Sequence, residues 1–207
     1  MSSPLAKAAG PIALVSGILF AAVDLARLLA ADRSLDRIEM MRQTPFQVTN
    51  ALYWVVFIGL TLALVSVYFR FGGRAGRLGA AGFCIALVGT LDMAGNMWFD
   101  GFAGPWIAEV APQAIAAEKT ITLQVGALSA YLLFALGWAM FGIALMLARV
   151  VPAAVASGVV VGGVLGFQSG LPPFGIPIGL AVAAVGVALL RSTTPASAPE
   201  RVGRHGQ

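Results

Sequence analysis

Long apolar runs separated by short polar connections set the architecture of this chain. Six runs stand out, at residues 11–31, 49–69, 78–99, 121–148, 152–169 and 174–190. The first four reach the roughly 20 residues an α-helix needs to cross a hydrocarbon core about 30 Å thick. The last two are shorter, rich in Gly and Val, and joined by GLPPFG, where two prolines and flanking glycines predict a surface turn. No run shows the alternation of a membrane strand, which excludes a transmembrane barrel. The pattern therefore predicts an all-α fold, a polytopic membrane bundle of about six transmembrane helices. It forms a single domain over residues 1–191, followed by a disordered cytoplasmic tail over 192–207 that is rich in Pro, Ser and Ala.

Composition supports the membrane class. Of 207 residues, 59% are hydrophobic and only 11% charged, against about 25% charged in soluble domains. A water-facing surface cannot be covered with so few charges. The first run is too long for the apolar stretch of a secretory signal and contains Asp24 and Arg27, so it is expected to be the first span. The net charge of +4 comes from sparse basic residues at the helix ends, an orientation signal, and no nucleic-acid partner is expected. The one cysteine, Cys84, excludes an intrachain disulfide and is expected as a small thiol buried in a helix interface.

Basic residues fix the expected orientation. Lys7, Arg70, Arg74, Arg77, Arg149, Arg191, Arg201 and Arg204 fall on one side of a six-span bundle, whereas Arg33, Arg37, Arg42 and Lys119 fall on the other. The acids Asp32, Asp36, Glu39, Asp100, Glu109 and Glu118 all lie on the second side. Both termini should then be cytoplasmic, in the cell (inner) membrane. Two outer connections are long. Residues 32–48 predict a short exposed helix laced with ion pairs. Residues 100–120 predict an ordered connector with a short interfacial helix opened by Pro105, with Trp106 and Ile107 at headgroup level.

Polar residues inside the spans carry the candidate chemistry. Measured along each helix, Asp24, Arg27, Asp92, Asn96 and Gln168 lie about 18–27 Å above the cytoplasmic end, with Gln124 near the level of Asn96. An ionised side chain at depth costs at least about 2.5–3.5 kcal/mol, so these groups should meet one another or water rather than lipid. The expected arrangement brings the first, third, fourth and fifth spans together. Arg27 would reach Asp92 or Asp24, and Asn96 and Gln124 would complete the hydrogen bonds. Two functions fit such a layer. In the first, Asp92, Asn96, Asp24, Arg27, Gln124 and Gln168 line an outward-facing site that binds or passes a small ligand or ion. In the alternative, the same cluster is structural and the chain is a non-catalytic scaffold or assembly subunit.

Gly158, Gly162 and Gly166, four residues apart, give the fifth run a smooth face for close helix packing. Packing within the bundle is the simpler expectation, and a homo-oligomer or membrane partner is the alternative. Enzymatic constellations are missing. The only histidine, His205, lies in the tail, and one cysteine cannot build a thiolate site. No catalytic residue, metal or cofactor is expected, and the chain is expected not to be an enzyme; its expected environment is the lipid bilayer.

Overall fold

The computed structural model describes residues 4–32 and 34–192. Beyond Ser192, the tail expected to be disordered lies outside the described residues. Regular structure in the described part is helical: α1 (Pro4–Lys7), α2 (Ala9–Ala30), α3 (Arg37–Arg42), α4 (Thr44–Phe71), α5 (Gly76–Trp98), α6 (Gly104–Val110), α7 (Pro112–Ala116), α8 (Ile121–Leu147), α9 (Ala153–Leu165) and α10 (Gly175–Arg191). Four stretches are long and apolar enough to cross a membrane, namely α2, α4, α8 and the continuous helical stretch Gly76–Val110. The other two apolar helices, α9 and α10, are shorter.

The six apolar helices pack as a closed ring in chain order, α2–α4–α5–α8–α9–α10, with α10 returning to α2. Each neighbour runs antiparallel to the last. On the α2–α10 seam, Gly10 meets Gly186 and Leu190, while Asp24 meets Gly175 at the other end. Ala9 and Arg191 therefore share one end of the bundle, called here the terminal end. The opposite end carries α3, α6 and α7 and is called the cap end.

Absent side chains let the backbones approach. A Cβ on Gly17 would lie 2.4 Å from the amide nitrogen of Ala183, and one on Gly137 would lie 2.1 Å from that of Ala86. These contacts, on the α2–α10 and α5–α8 seams, replace the hydrophobic driving force that lipid removes. The ring's centre is filled by aromatic rings meeting edge to face. Phe20 and Phe57 lie 5.1 Å apart, and Phe57 and Phe134 5.7 Å apart. All three are fully buried, so they close the axis of the ring. Hydroxyls in this apolar setting are satisfied locally: Thr61, Ser66 and Thr90 each donate to the carbonyl four residues back. Thr90 also accepts from the Trp138 indole at 3.0 Å, tying α5 to α8.

At the cap end, Asp36 caps α3 by accepting from the Glu39 amide at 2.9 Å. Met41, Phe46 and Ala108 form a small separate core under α3 and α6. Arg42 ion-pairs with Glu109 at 3.1 Å and donates to the Ala108 carbonyl at 2.8 Å, so the cap is laced between α3 and α6.

Two expectations change. The connector expected over 100–120 begins as helix, because α5 runs on through a π turn, Phe99–Ala103, into α6. Pro105 has no N–H to continue the ordinary ladder, and the Gly104 amide bonds five residues back to Phe99. Cys84 is exposed on the outside of α5, not buried in an interface. The GLPPFG turn keeps Leu171 and Pro173 exposed at the surface, while Gly170 and Pro172 are buried. The glycine face of α9 packs within the chain, the simpler of the two expectations for it. A Cβ on Gly162 would press to 2.7 Å from the Ile178 Cα of α10, and one on Gly166 to 2.7 Å from the Phe134 ring. Gly158 stands at an ordinary 3.6 Å from Ala181. Gly162 thus has no room for a second chain.

Candidate functional site

The expected polar layer divides into three places. The deepest holds Asp24. Its carboxylate is fully buried and accepts from the Tyr53 hydroxyl of α4. It also accepts from the amides of Gly175 and Ile176, at 3.1 and 3.2 Å. Those amides open α10, so a carboxylate from one helix caps the positive end of another. Gly175 permits this, because a Cβ there would lie 2.8 Å from the carboxylate oxygen.

One turn above, Arg27 is 8% exposed and donates to the Asn50 side-chain carbonyl of α4, while its guanidinium lies 4.7 Å from the centre of the Phe46 ring. Asn50 is fixed in turn, its amide donating to the Phe46 carbonyl at 2.9 Å. The π turn rests on this position. A Cβ on Gly101 would meet the Ala51 amide nitrogen at 2.9 Å, so only glycine lets the turn sit there.

Arg27 forms part of the wall of a cavity of about 280 Å³ at the cap end. The other polar wall residues are Arg37, Asn96, Asp100, Lys119 and Tyr131. Met40, Met41, Phe46 and Met97 supply much of the apolar lining. The wall thus carries three cations and one carboxylate. Among the described residues nothing hydrogen-bonds or ion-pairs with Asp100, and the buried Asn96 side-chain nitrogen has no hydrogen-bond partner. Asp100 is half-exposed and open to water, but a buried nitrogen such as that of Asn96 is unusual in native interiors and marks a place where water or a ligand completes the bonding.

The third place is outside the ring. Asp92 is exposed on α5, in an open groove between α5 and α8 lined also by Gly95, Asn96, Thr120, Thr122, Gly126 and Ser129. Gln124 is exposed and donates to the Lys119 carbonyl at 2.8 Å, and Gln168 is exposed at the end of α9. The expected convergence of four spans on Arg27 and Asp92 is therefore corrected. Asp24 and Arg27 stay together inside α2 and α4, Asn96 reaches the cavity, and Asp92, Gln124 and Gln168 do not join them. The reason is helical phase. Four residues overshoot a full turn by about 40°. Asn96 sits at the edge of the ring, with Asp92 on one side facing out and Asp100 on the other facing in.

Asn50, Tyr53, Asp100 and Tyr131 were missed in the sequence as cluster members. Asn50 and Tyr53 carried a usable signal, an amide and a phenol one turn apart inside an apolar run. Asp100 was hidden because the third apolar run stops at Phe99, which put Asp100 in the outer connection. Comparison of the chain with known protein families, with curated proteins and with solved structures gives no match.

Proposed function

We propose that this chain is a small, non-catalytic, six-span membrane protein that holds a small ligand in the cap-end cavity, with that end outside the cell and both termini in the cytoplasm. Arrangement of the basic residues supports the orientation: Lys7, Arg70, Arg74, Arg77, Arg149 and Arg191 lie at the terminal end. The observation that carries the ligand reading is the cavity wall. Among the described residues the buried Asn96 side-chain nitrogen has no hydrogen-bond partner and Asp100 makes no hydrogen bond or ion pair, whereas the Asp24 carboxylate accepts from Tyr53, Gly175 and Ile176. A purely structural cluster accounts for Asp24 and leaves the buried Asn96 nitrogen unexplained. The aromatic layer of Phe20, Phe57 and Phe134 closes the path below, which favours holding a ligand over conducting one.

The test places a single thiol in the wall. In a Cys84→Ser background, Asn96→Cys is treated with a membrane-impermeant maleimide applied to intact cells, with Ser34→Cys in the exposed cap as the control. Labelling at both positions supports a wet, outward-facing cavity. Labelling at Ser34→Cys with full protection of Asn96→Cys refutes it.

A further inference from the structure

We infer that the cavity takes the acidic headgroup of an amphiphile, a phosphate or carboxylate, admitted sideways from the membrane between α5 and α8. This rests on the reading of the cavity as a ligand site and adds the chemistry of the ligand and its route.

Two spaces meet at one seam. The cavity and the lateral groove, about 280 and 630 Å³, share Asn96, Leu123 and Ala127 as a common wall. Below that wall α5 and α8 are in tight contact, as a Cβ on Gly89 would lie 2.2 Å from the Phe134 amide nitrogen. At the wall they part. Gly95 and Gly126 have nothing within 4 Å of a Cβ position, and Ile121 to Gly126 are all exposed. A chain of methylenes can lie in this split against Leu91 and Leu123 while the head passes Asn96. Inside, the head meets Arg27, Arg37 and Lys119, and the Asn96 amide nitrogen adds a donor. Arg27 is balanced by Asp24 beside it, and Arg37 and Lys119 against Asp100 still leave one cation in excess, which favours an anion. Asp100 narrows the choice to a head that also donates a hydrogen bond, as the hydroxyl of a phosphate monoester does.

The test uses the full chain in neutral maltoside micelles and follows tryptophan fluorescence. Dodecyl phosphate, inorganic phosphate and dodecyltrimethylammonium are titrated separately. Dodecyl phosphate should bind saturably, inorganic phosphate at least about tenfold more weakly, and the ammonium amphiphile not at all. The pair Arg37→Gln and Lys119→Gln, both on exposed side chains, should weaken dodecyl phosphate by about tenfold or more. Gly126→Leu, which points into open space, should abolish dodecyl phosphate binding and spare inorganic phosphate. Equal binding of the ammonium amphiphile overturns the headgroup assignment. Equal binding of inorganic phosphate, or indifference to Gly126→Leu, overturns the sideways route. If Asn96→Cys labels from outside and neither phosphate saturates, this inference fails while the ligand cavity stands. If Asn96→Cys is also protected, both fail.

Discussion

At the scale of single residues, two aspartates in apolar helices have opposite surroundings, and their substitution should differ in sign. Asp24 is fully buried and holds Tyr53 of α4 and the first amide of α10 in one carboxylate. Asp24→Ala removes the acceptor those donors share, and each buried donor so stranded costs about 1–3 kcal/mol. The Ile176 amide is less affected, because it also reaches the Pro173 carbonyl at 3.2 Å. The expected loss for Asp24→Ala is about 2–4 kcal/mol, and for Tyr53→Phe about 1–2 kcal/mol, in SDS-titration unfolding from mixed micelles. An Asp24→Ala protein as stable as the parent means that this network is not what joins α10 to α2. Asp92 has no such partner and faces outward. Asp92→Leu should leave stability unchanged or raise it, since a lipid-facing carboxylate is unfavourable at depth. A loss above about 2 kcal/mol would show that Asp92 is paired after all, as expected for a broken buried ion pair. Sequence alone identified both as residues needing a partner. It could not tell them apart, because the inward and outward faces of a helix differ by a fraction of a turn and both aspartates sit in runs that are apolar on every face.

At the scale of helices, glycine does two different jobs in α8. Gly137 lies where α5 and α8 touch backbone to backbone, and a methyl there would stand 2.1 Å from the Ala86 nitrogen. The helices must separate to admit it, and overpacking of this kind costs about 1–3 kcal/mol. Gly126 faces open space. There Gly126→Ala should gain up to about 1 kcal/mol from helix propensity alone. Thermal melting of the two variants in one detergent checks the contrast, and equal shifts in the same direction would contradict the seam described here. Helix positions were legible from the apolar runs because each run had to be helical throughout in an apolar setting. Run 49–69 falls inside α4 and run 121–148 coincides with α8 to within a residue. The π turn was not legible. The apolar run stops at Phe99 and Pro105 suits the start of a separate helix, so nothing local shows that Gly101 serves as a landing for α4 and that the helix continues without a break.

At the scale of the whole molecule, the cavity follows from unequal helix lengths. Helices α4 and α8 have 28 and 27 residues, whereas α9 and α10 have 13 and 17. At 1.5 Å per residue the last two measure only about 20–26 Å. Since α10 starts opposite Asp24, its turn with α9 stops near the level of Arg27, while α2 and α4 continue to the cap. The space above that turn is the cavity, and Gly170 and Leu171 form part of its wall. This geometry makes the number of crossings testable at one position. Leu171 is exposed at the tip of the turn. If α9 and α10 cross, with the bilayer thinned locally to match them, water reaches that tip from the cap side. In a Cys84→Ser background, Leu171→Cys should then react with an impermeant maleimide on intact cells, at a rate below that of Ser34→Cys because the cap shields it. Ser192→Cys, at the terminal end, should react only after permeabilisation. Reaction of Leu171→Cys only from the cytoplasmic side, or from neither side, would leave four crossings and a short apolar pair buried among them. The cavity would then have lost its connection to the exterior.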